Sequence, residues 1–216
     1  MLSIQIFTFN EFSENTIVAR EGKHCVIIDP GCYLPVEIRE LTGYIEQNRL
    51  EPVSVWNTHC HIDHILGVQA IKEHYGIPFL IGRKEEPVLK SAGVFSSFYG
   101  YHGFKPPEPD GFFEDGQELN FGKSGWEVID VPGHSPGHIA LYNRQDGLCI
   151  SGDVLFYRSI GRSDLPGGDQ QTLLRSIRKR LFTLPEHTRI FPGHGRETTI
   201  GEEKKYNPFC GGFEEA

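Results

Sequence analysis

An α/β fold, built as a four-layer αββα sandwich, is what this sequence predicts, and three observations predict it. Short apolar runs of strand length recur in both halves of the 216-residue chain. Amphipathic stretches of helical period alternate with some of them. No linker-like stretch separates the halves, so a single domain over residues 1–216 is expected.

The elements follow in order. Ile4 to Phe9, Asn15 to Ala19 and Cys25 to Ile28 are apolar or alternating and read as strands, with a hairpin turn at Glu21-Gly22-Lys23. A helix follows. Pro35 suits its first turn, and Leu34, Ile38, Leu41 and Ile45 recur at helical spacing. Val53 to Thr58 reads as a buried strand ending at His59. One helix is expected from about Ile62 to Tyr75, with Ile65, Val68 and Ile71 on a stripe and Gly76 as its stop. Ile77 to Ile81 is the next strand. Residues 92–118 are rich in Gly, Pro and aromatics and read as an ordered loop, whose rings either pack beneath it or wall a substrate cleft. The second half continues with strands at Trp126 to Val131, Ile139 to Asn143, Leu148 to Ser151 and Arg189 to Phe191. A helix from an Asp169 N-cap to Phe182 turns Leu173, Leu174, Ile177 and Leu181 inward.

Composition narrows the function classes. A formal charge of −8 argues against nucleic acid or an anionic membrane as partner, since both select basic surface. The basic cluster Arg175, Arg178, Lys179 and Arg180 reads as a solvated helix face. No apolar run approaches the roughly 20 residues needed to span a bilayer, and the first residues carry no signal-peptide pattern. The five cysteines are scattered and include no CxxC pair, which points away from a disulfide framework and toward a cytoplasmic setting.

The chemistry concentrates in Thr58-His59-Cys60-His61-Ile62-Asp63-His64, where a strand gives way to a helix. His59 and His61 are two apart in extended chain, so their side chains share one side. Asp63 and His64 open the helix and reach a neighbouring point. Imidazole and carboxylate are ligands that zinc and similar ions prefer. His134, Asp153 and His194 repeat one grammar: an apolar strand, a Gly-containing turn, then one His or Asp. Glycine lets the chain turn sharply there and keeps bulk away from an ion. If those strand ends share an edge, seven ligands converge.

Taken together, Thr58 to His64, Gly133-His134-Ser135-Pro136-Gly137-His138, Gly152-Asp153 and Pro192-Gly193-His194-Gly195 resemble the metallo-β-lactamase superfamily over nearly the whole chain. Gly161-Arg162-Ser163-Asp164, Thr199 to Lys204 and Asn207-Pro208-Phe209 resemble its short glyoxalase II-like (hydroxyacylglutathione hydrolase-like) subgroup. The resemblance implies two divalent ions, zinc first, with iron or manganese as alternatives. It assigns His59, His61, His134 and Asp153 to one ion. Asp63, His64, His194 and the same bridging Asp153 go to the other. A cysteine in place of Asp153 would point to a true β-lactamase.

The implied reaction is hydrolysis of a thioester such as S-D-lactoylglutathione. The nucleophile would be a hydroxide shared between ions about 3.5–4 Å apart, with Asp63 helping to orient it. A thiolate leaves without strong acid help, so no separate general acid is required. Asp29 and His138 are candidates to fix imidazole tautomers, or are a turn former and a buried hydrogen-bonding residue. Tyr157, Arg158 and Arg162 are candidates to meet a substrate carboxylate, although Arg162 could simply pin its loop. The glutathione-binding helical C-terminal domain of full-length glyoxalase II enzymes is not expected here. Two other readings compete. One is an iron persulfide dioxygenase using His59, His134 and Asp153, and the other is a non-catalytic relative. No obligate protein partner is expected.

Overall fold

The computed structural model describes residues 2–212. It divides into two compact units. The first runs to Phe113 and takes back Asn120–Ser124, and the second comprises Glu114–Leu119 and the chain from Gly125 on.

The first unit carries β1 (Leu2–Phe9), β2 (Glu14–Glu21), β3 (His24–Ile28), α1 (Pro35–Gln47), β4 (Glu51–Trp56), α2 (Ile62–Ile65), α3 (Val68–Tyr75), β5 (Phe79–Gly82), α4 (Glu86–Phe95) and β6 (Gly111–Phe113). Its sheet runs β1-β2-β3-β4-β5-β6, antiparallel through β3 and parallel from β3 to β6. Parallel neighbours need crossovers, and the helices supply them. Leu41 and Ile45 of α1, Ile65 of α2, and Val68 and Ile71 of α3 pack with Val55, Phe79 and Ile81 in one buried core. Pro35 starts α1. The Glu37 carboxylate reaches back over the helix start, accepting from the amides of Tyr33 and of the N-cap Leu34 at 2.8 Å each.

The single helix expected from Ile62 to Tyr75 is two. The break falls at Gly67, whose N–H donates to Pro30 O at 2.8 Å. A side chain on Gly67 would collide with Cys32 Sγ and the Cys32 and Pro30 carbonyls, so the β3–α1 loop presses on the helix there. The stretch read as loop is also more structured than expected, since it takes in the end of α4, a 3-10 turn at Ser96–Tyr99 and β6.

The second unit's sheet follows the order β14-β13-β10-β9-β8-β7. Its elements are β7 (Glu118–Phe121), β8 (Ser124–Asp130), β9 (Ile139–Asn143), β10 (Leu148–Gly152), the short pair β11 (Leu155–Phe156) and β12 (Ser159–Ile160), α5 (Gln170–Ser176), β13 (Arg189–Pro192), β14 (Thr198–Thr199) and α6 (Ile200–Tyr206). Asp169 caps α5 by accepting from Thr172 N at 2.7 Å, and the helix widens into a π turn at Ile177–Leu181. Leu173, Ile177 and Leu181 are fully buried in a core with Ala140, Cys149 and Ile190. Burying each such side chain contributes roughly 1.5–3 kcal/mol. All five cysteines are free and buried. No helix among the described residues is long and apolar enough to cross a membrane.

Topology puts the candidate residues at one edge of each sheet. In the second, β8 and β10 are antiparallel to β9, and β13 is parallel to β10. The end of β8 before His134, the start of β9 after His138, and the ends of β10 and β13 before Asp153 and His194 therefore share one edge. Gly193 N donates to Gly152 O at 3.0 Å, which aligns the last two. In the first, β3 and β4 are parallel and Asp29 N donates to Trp56 O at 3.0 Å. Asp29 and the run beginning at Asn57 leave the sheet side by side.

Candidate metal centre

In the first unit the ligand run is held by a buried network. His61 is still extended, with φ −65° and ψ 152°, and α2 begins at the next residue, with Asp63 in its first turn. Asp29 lies beneath it with a positive φ of 50°. Its Oδ1 accepts from Thr58 N at 2.7 Å, and its Oδ2 accepts from the Thr58 hydroxyl at 2.6 Å. The same Oδ2 sits 3.2 Å from His64 Nδ1, and Thr58 Oγ1 sits 3.1 Å from His59 Nδ1. A carboxylate only accepts, so the Thr58 proton points to Asp29 and the Thr58 oxygen accepts from His59. Both imidazoles thus carry their proton on Nδ1 and present the Nε2 lone pair, the form a metal ligand takes.

Sequence reasoning missed the rest of this support. Asn57 Nδ2 donates to His64 O at 2.8 Å and to His59 O at 3.3 Å. Fully buried Glu85 accepts from Cys60 N at 2.8 Å. Asn10 Nδ2 donates to Asp63 O at 3.0 Å and to Gly31 O at 3.1 Å. Thr16 Oγ1 lies 2.8 Å from Glu14 Oε2 and accepts from Gly31 N at 2.9 Å. Burial pushes the Glu14 carboxyl well above its ordinary range, against the lowering effect of His64. The available signal was Glu14-Asn15-Thr16, three polar residues that open the strand and are all buried.

In the second unit the support comes mainly from backbone. His134 Nδ1 is 2.6 Å from the Arg162 carbonyl, which can only accept. His138 donates from Nδ1 to Ile139 O at 3.0 Å and accepts the Asp153 amide on Nε2 at 3.1 Å. His138 therefore holds the main chain of Asp153, and the tautomer it fixes is its own. The β10–β13 register slips between Ile150 and Gly152, directly before Asp153, as bulges beside functional sites do. Gly161 is obligatory: a side chain there would strike the Asp153 carbonyl and crowd His134 Nδ1. Buried Glu203 accepts from Arg158 N at 2.9 Å, Thr198 Oγ1 at 2.6 Å and Asn207 Nδ2 at 2.7 Å. The 199–209 segment thereby braces the stretch that follows Asp153.

The candidates for carboxylate recognition are largely committed elsewhere. Arg162 forms a two-pronged pair with Asp164, at 2.7 and 2.8 Å, which lowers the Asp164 carboxyl to about 2. Arg158 bonds Glu202 at 3.0 Å and lies 4.4 Å over the Tyr206 ring. Tyr157 is covered by the Arg196 guanidinium at 3.6 Å.

Three separations carry the metal argument. His64 Nε2 is 3.5 Å from Asp63 Oδ2, His194 Nε2 is 3.5 Å from Asp153 Oδ2, and His134 Nε2 is 3.7 Å from that same oxygen. These exceed a normal N–H···O bond, about 2.7–3.2 Å. Two donors each about 2.0–2.2 Å from one tetrahedral ion lie roughly 3.3–3.6 Å apart. In the first unit the ligand atoms of Asp29, His59 and His64 also lie within 4.8 Å of one another. Both oxygens of Asp29 are already engaged by Thr58 and His64, so within that group Asp29 acts as the support of the imidazoles. The donor set and its spacing fit divalent ions.

Known proteins agree with this chemistry. The profile described as the metallo-β-lactamase superfamily matches residues 10–194. A Bacillus subtilis (strain 168) protein named probable metallo-hydrolase YqgX is 41% identical over 191 residues, 88% of each chain. The hydroxyacylglutathione hydrolase GloC of Haemophilus influenzae (strain ATCC 51907 / DSM 11121 / KW20 / Rd) is 34% identical over 211 residues, 96% of this chain and 98% of that one. Among solved structures, the BLEG-1 B3 metallo-β-lactamase superposes with a TM-score of 0.89 at 34% identity, covering 97% of this chain and 100% of that one. TTHA1623 in a di-iron-bound form gives a TM-score of 0.86 at 36% identity, covering 95% and 99%. The α/β fold of mixed sheets flanked by helices is theirs. On the breadth of the profile match and the identity to its relatives, this chain belongs to the metallo-β-lactamase superfamily.

Proposed function

We propose that this protein is a dinuclear metal-dependent hydrolase of a small-molecule thioester such as S-D-lactoylglutathione, working in the cytoplasm without an obligate protein partner. His59, His61, His134 and Asp153 would hold one divalent ion. Asp63, His64, His194 and Asp153 would hold the other. The observation that carries this reading is Asp153 Oδ2, one carboxylate oxygen 3.5 and 3.7 Å from two imidazoles that the family pattern gives to different ions. Likeness to a hydroxyacylglutathione hydrolase along nearly its whole length supports the substrate class. Zinc is the proposed metal on donor chemistry, and the di-iron form of a similar protein makes iron the alternative.

Such ions, when bound, polarise a carbonyl and lower the pKa of water into the neutral range. The residues supply the rest. Bonds at Nδ1 aim the Nε2 atoms of His59, His64 and His134. His138 fixes the Asp153 backbone so that its carboxylate is preorganised. Asp63, tied through its carbonyl to Asn10, would hold a proton of the attacking water on its carboxylate and orient it.

Metal content of the purified chain, measured beside turnover of a thioester panel, tests this. Two ions per chain and loss of thioester absorbance are expected. No turnover on any glutathione thioester would overturn the substrate. One iron per chain, with oxygen uptake on glutathione persulfide, would replace the reading by a dioxygenase on His59, His134 and Asp153. Hydrolysis of a β-lactam alone would move it toward the BLEG-1 relative.

A further inference from the structure

We propose that Arg196, held over the Tyr157 ring at 3.6 Å, is the group that recognises a carboxylate of the substrate. The inference rests on the thioester reading above, because a glutathione conjugate carries two carboxylates. It moves the anchoring role from Arg158 and Arg162, which are spent on Glu202 and Asp164.

The placement comes from local register. Arg196 lies two residues beyond His194, past the turn at Gly195 with φ 74°. On the adjoining stretch, Phe156 packs edge-on against the His194 ring at 6.3 Å, and the next residue, Tyr157, receives Arg196. One pair holds the metal-ligand candidate and its neighbour holds the cation.

The charge on Arg196 is also available. Arg196 makes no ion pair with a carboxylate among the described residues, and it is exposed. Of the acidic residues that follow it in sequence, Glu197 pairs with Arg189 at 2.6 Å and Glu202 with Arg158 at 3.0 Å. In a chain of net charge −8 this leaves, two residues past a metal-ligand candidate, a guanidinium that no carboxylate of the described residues pairs. Stacking uses only the face of the group. Its N–H donors lie in the plane of the group, in the fork that matches a carboxylate. The ring beneath limits its motion, so less entropy is lost on binding.

Two measurements test this. The first is binding of S-methylglutathione, with S-methyl-N-acetylcysteamine as the uncharged probe, followed by calorimetry. Arg196→Met should weaken S-methylglutathione binding about tenfold or more, as loss of a charge-assisted pair does. Arg196→Lys should fall between Met and wild type, and Arg175→Met, on α5, should match wild type. The second is the ratio of kcat/KM for the lactoyl thioesters of glutathione and of N-acetylcysteamine, which should drop in Arg196→Met by a similar factor. Equal S-methylglutathione binding by Arg196→Met and wild type, or none by wild type, overturns the proposal. Arg196-dependent binding without hydrolysis of either thioester keeps the anchor and overturns the thioesterase reading.

Discussion

The two units present their candidate ligands in opposite ways. The first takes four from one seven-residue run, His59, His61, Asp63 and His64, and fixes them with side chains: Asp29, Thr58, Asn57, Glu85 and Asn10. The second takes three from three separated strand ends and fixes two of them through main-chain atoms: the Arg162 carbonyl accepts from His134, and the Asp153 amide donates to the His138 ring. A contiguous run needs outside groups to aim each ring, because one helix start cannot orient four side chains at once. Strand ends are aimed by the sheet, so what they need is close backbone approach, and glycine supplies it. The first unit should therefore be fragile to polar substitution and the second to added bulk.

The largest expected effect breaks the second unit. Gly161→Ala drives a Cβ into the Asp153 carbonyl, which is backbone and cannot rotate away. A loss of about 3 kcal/mol or more in urea unfolding is expected, with depleted metal content. Wild-type stability in this variant would show that this contact is soft.

Asp29→Asn comes next and tests the first unit. Asn offers one acceptor where Thr58 N, the Thr58 hydroxyl and His64 Nδ1 all seek one. Metal affinity should fall about 10- to 100-fold in competition with a chelator. Thr58→Val removes only the link from His59 to Asp29 and should cost about 1–3 kcal/mol, with Thr58→Ser restoring most of it. A serine variant as impaired as valine would mean that the methyl group, not the hydroxyl, matters at this position.

The smallest effect separates side chain from backbone. Arg162→Ala removes an exposed pair with Asp164 but keeps the carbonyl under His134, so metal content should match wild type. The Asp164 carboxyl is lowered to about 2 by Arg162. A lowered carboxylate stabilises the fold above its unfolded value of about 3.8 and loses that contribution as pH falls through about 2. Arg162→Ala should be slightly less stable than wild type above about pH 4 and converge with it as pH falls toward about 2, so that the slope of the stability profile flattens in that window. A difference in slope near neutral pH would assign the side chain a further role.

The difference between the units also explains what could be read in advance. His59 to His64 stood out because the whole pattern lies inside one strand-to-helix transition, where spacing translates directly into direction. His134, Asp153 and His194 were visible only through a repeated grammar, whose meaning depends on strand pairing. Glu85 on Cys60, Asn10 on Asp63 and Arg196 on Tyr157 left no mark in sequence. Each pair is brought together by tertiary packing across 25 to 53 residues. The helix break at Gly67 was hidden for the same reason, since local periodicity runs smoothly through it and the loop pressing on it is remote.

The sequence by itself determined the α/β pattern, the kinds of ligand and the strand ends that carry them, because apolar period and turn chemistry are local. Only the tertiary structure decided which nitrogen of His59, His64 and His134 is engaged, that Asp153 is held through its amide, and that Arg158 and Arg162 pair with carboxylates while Arg196 lies on Tyr157. Those outcomes depend on acceptors and counter-charges supplied by distant segments, and proton position and charge availability are fixed by such partners.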